Sequence, residues 1–263
     1  RLDAGWVDNP SCKGGWVMGH LSCPVCGGEN VIELSKRTYR CNCCDSVFSW
    51  KEEKPRIKST ADIYKSSIES VLEISGITDR EELCGTGVII SLRGYVVTNY
   101  HIIGKSMPEK DGVKNFCDMI IAGRRPQETL FKAEPIYSDP LMDLALLYCS
   151  DAVGAKPLVL SRCEVKTGEK ICVIGNGKGE GLSVVDGIIS DTQRKIGHRS
   201  LMMISAPVTM GYSGGPVFNS SGDFIGVVTG GREDAMAMNY AIPSATIRKF
   251  LSDAKKAKSG IEI

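Results

Sequence analysis

The six residues Gly211-Tyr212-Ser213-Gly214-Gly215-Pro216 (GYSGGP) place a serine between glycines in the second half of the chain. Glycines on both sides let the backbone turn sharply and bring the serine hydroxyl close to a substrate carbonyl. Peptide hydrolysis by a serine also needs backbone N–H groups aimed at the developing oxyanion, and those of Gly211 and Ser213 are the candidates. A Ser-Gly-Gly sequence alone is most often an ordinary turn. The segment therefore indicates catalysis only together with a base and a carboxylate.

The chain has three histidines, so the base can be chosen by elimination. His101 follows an apolar run, Tyr95–Thr98, which places it at the end of a predicted strand beside a core. His198 lies in a polar stretch typical of an exposed loop, and His20 lies among the N-terminal glycines. We therefore predict that His101 takes the proton of Ser213.

The carboxylate is predicted to be Asp143, which directly precedes the apolar run Leu144–Tyr148. A carboxylate at the mouth of a buried strand can be desolvated and pointed at an imidazole. Asp139 is the local competitor, in a polar turn before Pro140. The chain order His, Asp, Ser is one of the orders in which such triads occur.

Short strand-like runs separated by glycines and polar turns fill the chain after Cys84. Many short strands at this spacing predict an all-β sandwich or barrel pair rather than alternating strands and helices. The runs are Gly87–Ser91, Tyr95–Thr98, Leu144–Tyr148, Lys170–Ile174, Leu201–Ser205 and Phe224–Thr229.

Two short helices are predicted at the ends of this strand-rich region. Apolar residues between positions 63 and 72 fit an amphipathic helix, with Thr60 or Asp62 as its cap. Pro243 interrupts the strand pattern, and Ser244–Lys255 is predicted to form a closing helix with Ser244 as its cap.

Composition and charge narrow the class of protein. The chain has 263 residues, 42% hydrophobic and 24% charged, which is enough for one good-sized core and a small module. A net charge of +1 gives no support for broad electrostatic binding to duplex DNA or an anionic membrane. No apolar run approaches the roughly 20 residues of a membrane span, so no membrane partner is expected. Several of the eleven cysteines stand singly in apolar segments, which favours a reducing, cytoplasmic location.

Seven segments in chain order make the sequence resemble the trypsin-like serine proteases, and within them the HtrA/Deg branch. The resemblance covers about residues 60 to 255. It implies a double β-barrel, with His101, Asp143 and Ser213 in the cleft between barrels and a protein or peptide as substrate. Tyr212 departs from the family's usual asparagine, and its ring is expected to shape or obstruct the cleft. The segments are Gly85-Thr86-Gly87-Val88-Ile89-Ile90, Val97-Thr98-Asn99-Tyr100-His101-Ile102-Ile103, Asp139-Pro140-Leu141-Met142-Asp143-Leu144-Ala145-Leu146-Leu147, Val173-Ile174-Gly175-Asn176, Gly187-Ile188-Ile189-Ser190, Gly211–Pro216 and Tyr240-Ala241-Ile242-Pro243.

The same resemblance implies a substrate-binding strand and a specificity pocket. The strand should pair with the substrate backbone and form one wall of the pocket. No carboxylate lies in these segments, so we expect small to medium apolar residues, rather than Lys or Arg, before the scissile bond. The residues implied are Val227, Val228 and Thr229 on the strand, with Ala206, Pro207, Val208 and Asn239 around the pocket.

Two Cys-x-x-Cys pairs near the N-terminus, Cys23 with Cys26 and Cys41 with Cys44, resemble a zinc ribbon. Zinc accepts four thiolates in a tetrahedron, and each such turn delivers two sulfurs. A module this small cannot bury enough apolar surface to fold without a staple, so the predicted Zn²⁺ is structural. Two disulfides are the competing interpretation, which conflicts with the other unpaired cysteines. Cys43 is the alternative to Cys44, and the two-residue spacing from Cys41 favours Cys44; Cys12 and His20 are the reserve ligands.

The predicted domains are a zinc ribbon over residues 1–50, a linker over 51–59 and a protease domain over 60–263. The leading hypothesis is a serine endopeptidase. The alternatives are a binding or scaffold protein that uses the protease fold for recognition, and a regulatory protease targeted by its zinc ribbon. Lys36, Arg37 and Arg40 around Tyr39 form a basic cluster suited to docking on protein or nucleic acid, which a solvated face explains equally well.

Overall fold

The computed structural model describes residues 30–35, 38–49, 57–77, 82–104, 119–123, 130–231, 237–258, 260–261 and 263. The chain divides into two compact units, Arg1–Arg56 and Ile57–Ile263. The division falls inside the predicted linker, but residues 57–59 belong to the second unit. Lys58 N–H donates a hydrogen bond of 2.9 Å to the Ser220 carbonyl, which attaches this stretch to the larger unit.

The first unit contains a three-stranded antiparallel sheet in the order β1-β2-β3. Its strands are β1 (Val31–Ser35), β2 (Thr38–Cys41) and β3 (Val47–Ser49). The tight turn after β2 is closed by Asp45 N–H, which donates to the Cys41 carbonyl at 2.9 Å. Cys41 is fully buried at the end of β2.

The first half of the second unit is a seven-stranded antiparallel sheet. Its strands are β4 (Val71–Ile77), β5 (Glu82–Ile89), β6 (Arg93–Thr98), β7 (Met119–Gly123), β8 (Leu130–Lys132), β9 (Glu134–Asp139) and β10 (Leu144–Val153). They lie side by side in the order β8-β7-β4-β5-β6-β10-β9. The β6–β10 pairing matters most for function, because it places Thr98 opposite Ala145 and brings the ends of two predicted catalytic segments together.

The second half is a closed six-stranded barrel, which agrees with the barrel expected from the short strands. Its strands are β11 (Lys170–Asn176), β12 (Leu182–Ile196), β13 (Arg199–Ile204), β14 (Pro216–Asn219), β15 (Phe224–Gly231) and β16 (Asn239–Pro243). Around the barrel they run β11-β12-β13-β16-β15-β14. The mostly β architecture predicted from the sequence is confirmed, although in the described residues the first half forms a sheet rather than a closed barrel.

The N-terminal helix is shorter than predicted. Helix α1 (Thr60–Ser67) ends before one 3₁₀ turn, and Val71 already begins β4, where its side chain is fully buried in the sheet. Its cap is Ser59 rather than Thr60 or Asp62. The Ser59 hydroxyl accepts the Asp62 N–H at 3.1 Å, and the Asp62 carboxylate bonds back to Ser59, which is a capping box.

Two further helices follow, α2 (Tyr100–Ile103) and α3 (Ser244–Ala257). The residue that caps α3 is Pro243, which has no side-chain hydrogen bond to offer, and the predicted cap Ser244 instead donates its hydroxyl to the Ser161 carbonyl at 2.8 Å. None of the helices in the described ranges is long and apolar enough to cross a membrane.

One apolar cluster joins the sheet, the barrel and α3. It contains Val97 and Leu146 from the sheet, Val227 and Ile242 from the barrel and Phe250 from α3, all at most 1% exposed. Burying large aliphatic and aromatic side chains across this boundary contributes about 1.5–3 kcal/mol for each. The two halves are thereby held together, and residues from both can build a single site.

Candidate active site

His101 and Asp143 are in direct contact. His101 lies on α2, directly after β6, and Asp143 immediately precedes β10, the strand paired with β6. His101 Nδ1 lies 3.0 Å from Asp143 Oδ1 and 2.9 Å from Oδ2, and the His101 backbone N–H donates to Oδ1 at 3.0 Å. A carboxylate on Nδ1 holds the ring in one orientation and leaves Nε2 to act as a base.

Several groups fix the Asp143 carboxylate and its backbone. Thr229 donates its hydroxyl to Oδ2 at 2.5 Å, and Arg199 Nη1 lies 3.7 Å from the same oxygen. Asn99 Nδ2 donates to the Asp143 carbonyl at 2.9 Å, which supports a backbone with φ 57°, in the left-handed region that aspartate tolerates better than most residues. Sequence reasoning missed Asn99 and Arg199, because their contacts with Asp143 join distant parts of the chain.

The competing residues have other roles. Asp139 accepts the backbone N–H groups of Leu141 and Met142 at 2.9 and 3.0 Å, so its carboxylate shapes the turn before Asp143. The His198 ring is exposed, and its Nε2 lies 2.9 Å from the Leu141 carbonyl. His20 lies outside the described residues.

Ser213 lies in the turn between β13 and β14, against strands that lead to His101. Thr86 N–H donates to the Ser213 carbonyl at 2.8 Å, and the Thr98 hydroxyl donates to the Thr86 carbonyl at 2.7 Å. Gly214, at φ 81°, makes this approach possible, because a Cβ there would lie 2.0 Å from the Thr86 carbonyl oxygen. Among the described residues the Ser213 hydroxyl makes no hydrogen bond, so its bond to His101 stays a prediction.

The two peptide groups around residue 212 orient the predicted oxyanion donors. The carbonyl of residue 210 accepts a hydrogen bond from Lys178 N–H at 2.8 Å, and that of residue 212 accepts from Gly215 N–H at 2.8 Å. In a planar trans peptide the N–H points opposite to the carbonyl. The N–H groups of Gly211 and Ser213 therefore point away from these bonds, and neither donates to any described residue. Two unengaged donors near one serine are what an oxyanion hole requires.

Thr86 connects the sheet to this loop through its side chain as well. Its hydroxyl is fully buried, donates to the Gly211 carbonyl at 2.7 Å and accepts the Asn176 N–H at 3.0 Å. Gly211 itself has φ 94°, and a Cβ there would lie 2.0 Å from the Asn176 carbonyl oxygen. Sequence reasoning gave Thr86 no role. The available signal was a hydroxyl residue between two glycines in an otherwise apolar strand.

Tyr212 does not obstruct the cleft. Its side chain is 4% exposed, and its ring lies so close to Gly175 that a Cβ there would be 2.6 Å from a ring carbon. Its hydroxyl lies 2.7 Å from the Ser183 hydroxyl. The ring is part of the barrel core, contrary to the expectation that it would shape or obstruct the substrate cleft.

The predicted substrate strand is only partly available to a substrate. Val227 and Val228 are buried, and both backbone groups of Val228 are bonded to residues 214 and 215 within the barrel. In the described residues the following stretch of β15, residues 229–231, pairs on one side only, with β16. The open edge therefore begins at Thr229, two residues after the predicted start, and Val227 and Val228 serve the core.

The other predicted pocket residues lie close together. Asn239 Nδ2 donates to the Ala206 carbonyl at 2.8 Å, and Val208 N–H donates to the same oxygen at 2.8 Å. Ala206 is buried, Val208 is half-buried and Pro207 is exposed.

The described part of the predicted zinc site is the turn after β2. Cys43 N–H donates to Cys41 Sγ at 3.3 Å, and Cys44 Sγ lies 3.1 Å from the Ser46 hydroxyl. Arg40, from the basic cluster, is exposed. The other residues named for this module lie outside the described ranges: Cys12, His20, Cys23, Cys26, Lys36 and Arg37.

The single cysteines of the larger unit behave in two ways. Cys172 and Cys149 are buried, and burial raises the pKa of the Cys172 thiol to about 12 and that of Cys149 above its ordinary value. Cys163, in contrast, is disulfide-bonded. The expectation of unpaired cysteines thus fails for Cys163.

The sequence of the chain is similar to those of known proteins. Residues 85–227 match a family model described as the trypsin-like peptidase domain. The chain is 30% identical over 232 residues to the serine endoprotease DegS of Haemophilus influenzae, covering 80% of this chain and 63% of that protein. It is 32% identical over 187 residues to a probable periplasmic serine endoprotease, DegP-like, of Brucella suis, covering 66% of this chain and 33% of that protein.

Solved structures give a consistent result. The serine endoprotease from Yersinia pestis aligns with a TM-score of 0.63 and 26% identity, covering 76% of this chain and 67% of that one. The HtrA-type protease AlgW with a tripeptide aligns with a TM-score of 0.62 and 26% identity, covering 74% and 63%.

Proposed function

Because this chain belongs to the trypsin-like peptidases, we propose that it is a serine endopeptidase of the HtrA/Deg type, with His101, Asp143 and Ser213 as its triad. The observation that carries the proposal is the contact of His101 Nδ1 with the Asp143 carboxylate at 2.9–3.0 Å. The loop of Ser213, with its two unengaged N–H groups, lies beside the same strands.

Each group has a defined role in the proposed reaction. Ser213 Oγ attacks the substrate carbonyl carbon while its proton passes to His101 Nε2, and Asp143 stabilises the imidazolium that forms. The N–H groups of Gly211 and Ser213 bind the oxyanion, each contributing about 3 kcal/mol. The tetrahedral intermediate collapses as its C–N bond breaks and His101 gives the proton to the leaving amine, which leaves Ser213 acylated. His101 then takes a proton from a water molecule as the water oxygen attacks the acyl carbon. When the ester bond to Ser213 breaks, His101 returns this proton to Ser213 Oγ.

Labelling with a fluorophosphonate probe tests the proposal. The wild-type chain should be labelled on Ser213 and should hydrolyse an unfolded protein such as casein, whereas the Ser213→Ala variant should do neither. Ser221→Ala, which removes a hydroxyl from the β14–β15 turn, is the matched control and should keep both activities. A folded wild-type protein that is neither labelled nor hydrolytic would contradict the proposal and favour the binding or scaffold protein.

The cleavage preference is also a proposal. The segments around Ala206, Val208 and Asn239 carry no carboxylate, which supports small to medium apolar residues before the scissile bond. Cleavage of a peptide library should show this preference. A profile dominated by Lys or Arg would contradict it.

We also propose that Cys23, Cys26, Cys41 and Cys44 bind one structural Zn²⁺. The N–H group directed at the buried Cys41 Sγ supports this, because a hydrogen bond to sulfur favours the thiolate that zinc needs. Bound zinc would cross-link the small unit and take no part in peptide hydrolysis. Elemental analysis should find one zinc per chain and a loss of zinc in Cys41→Ser. The matched control Cys43→Ser should retain the metal, and a purified wild-type chain without zinc would contradict the proposal.

Docking through the zinc unit and a cytoplasmic location stay predictions. Exposed Arg40 supports a docking surface, and salt-sensitive binding to RNA or DNA that Arg40→Gln weakens would be expected for nucleic acid. No binding at low salt would exclude that partner. Buried Cys149 and Cys172 support a reducing compartment, whereas the disulfide of Cys163 weighs against it, and fractionation of cells decides between them.

A further inference from the structure

A cavity of about 410 Å³ lies beside the open edge of β15. Its walls come from three neighbouring strand pairs of the barrel. The lining residues are Ile196, Arg199, Leu201, Thr229, Gly230, Gly231 and Tyr240.

The β15 side of the cavity is lined by Thr229, Gly230 and Gly231. A Cβ on Gly230 would meet no atom within 4 Å, so the space beside this glycine is open. Leu201 and Tyr240 are 2% and 8% exposed and form an apolar wall. An aliphatic stem can therefore pack against this wall.

Arg199 is the cationic group of this cavity. Its side chain is 31% exposed, and Nη1 lies 3.4 Å from the Thr229 hydroxyl and 3.7 Å from Asp143 Oδ2. That carboxylate already accepts bonds from His101 and Thr229. A guanidinium has five N–H donors in a planar fork, and those on Nε and Nη2 have no acceptor among the described residues. Arg199 can therefore bind a second carboxylate while it stays beside Asp143.

The position of the open edge of β15 determines which part of a substrate lies beside the cavity. Gly214 N–H bonds to the Val228 carbonyl, so the scissile bond at Ser213 lies level with the start of the open edge at Thr229. A substrate that pairs antiparallel to this edge, as β14 does earlier on β15, places the residues before its scissile bond alongside Gly230 and Gly231. Their side chains pass over the cavity.

We propose that this cavity is a subsite for an acidic side chain, glutamate or aspartate, located two to four residues before the scissile bond. Arg199 binds the carboxylate, and Leu201 and Ile196 pack against the methylene groups. The inference rests on the proposed protease function and adds to it the chemical class of the substrate.

Matched fluorogenic peptides that differ only by Glu or Gln at one position test the subsite. At one of the three positions the Glu peptide should have a kcat/KM about tenfold higher at low salt, as expected for a charge-assisted hydrogen bond at a half-exposed site. Added salt should reduce the ratio, because the pair is partly exposed to solvent. Arg199→Gln should bring the ratio to about one, and Arg199→Lys should leave an intermediate value.

Arg194→Gln is the control, since it removes the same charge from an arginine of β12 that pairs with Asp191 rather than lining the cavity. It should keep the wild-type ratio. The ratio also cancels any general effect of Arg199 on the triad. A wild-type ratio near one at all three positions, or a tenfold ratio that survives Arg199→Gln, overturns the inference.

Binding separates this inference from the proposed function. The same peptide pairs, measured by fluorescence anisotropy with the Ser213→Ala protein, should show tighter binding of the Glu peptide without any turnover. If the Glu peptide binds more tightly but the wild-type chain hydrolyses nothing, the protease function is contradicted and the subsite is supported. If the wild-type chain hydrolyses peptides but both peptides bind equally, the subsite is contradicted and the protease function is supported.

Discussion

Replacing Thr86 by valine should separate activity from folding. Valine keeps the shape of the side chain and removes the hydroxyl that bonds to the Gly211 carbonyl and the Asn176 N–H, leaving both groups buried without that partner. An unsatisfied buried group costs about 1–3 kcal/mol, so the two together should lower the free energy of unfolding by roughly 2–6 kcal/mol. For a unit of this size that corresponds to a fall in Tm of about 4–24 °C.

The effect on catalysis should exceed what the lost stability explains. Without the hydroxyl, the Gly211 carbonyl loses its hydrogen bond to the sheet. The N–H of Gly211 itself, one of the two proposed oxyanion donors, is then no longer held in a fixed direction. Removal of one oxyanion donor costs about 10²–10³ in kcat, so a donor that is misaligned but present should cost about 10–100-fold. KM should change little, because Thr86 makes no backbone hydrogen bond to the described open edge of β15.

Steady-state kinetics below the Tm of the variant and affinity for a peptide boronate provide the measurement. Thr86→Ser retains the hydroxyl and should recover most of kcat, while it loses a buried methyl group worth about 1 kcal/mol of stability. Ser70→Ala removes another buried hydroxyl, bonded to the Lys156 carbonyl at 2.7 Å, and should lower Tm without lowering kcat. If Thr86→Val keeps kcat within about threefold of wild type, Thr86 does not position the oxyanion loop.

Three further outcomes are expected. Asp143→Asn should keep the fold, because asparagine tolerates φ 57°, and should lower kcat about 10⁴-fold, as in other Ser-His-Asp enzymes; a loss below tenfold would contradict the role of Asp143. Tyr212→Phe loses the bond to Ser183 and should lower stability by about 1 kcal/mol in thermal melts with kcat unchanged; a large fall in kcat would mean that the ring acts in the cleft. Alkylation followed by mass spectrometry should show Cys44 modified only after zinc has been removed by a chelator. Cys172, whose pKa is raised by burial to about 12, should resist alkylation until the protein unfolds. Modification of Cys44 before chelation would contradict metal binding.

The strands could be predicted because each apolar run in the sequence corresponds to a largely buried strand. Leu144–Tyr148 lies within β10, and Phe224–Thr229 lies within β15. The limits were less predictable. β12 extends over Leu182–Ile196 although much of it is polar, because it pairs with both neighbours and needs few buried side chains to persist. Helical spacing across residues 63–72 hid the start of β4, where pairing with β5 overrides the local pattern.

The residues of the candidate site also fall into those that local sequence predicts and those that it does not. His101 and Asp143 could be chosen from the sequence because each adjoins a buried strand that fixes its place. Thr86, Asn99 and Arg199 act through contacts with residues far away in the chain, and no local pattern reveals such contacts.

The proposed triad draws on both halves of the larger unit, and this has a consequence for synthesis. His101 and Asp143 belong to the sheet, whereas Ser213 belongs to a barrel that closes only when β15 and β16 are in place. In a chain emerging from the ribosome, the proposed base and carboxylate therefore precede the proposed nucleophile by many residues. Under the proposed mechanism, the chain has no peptidase activity until the last strands of the barrel have been made.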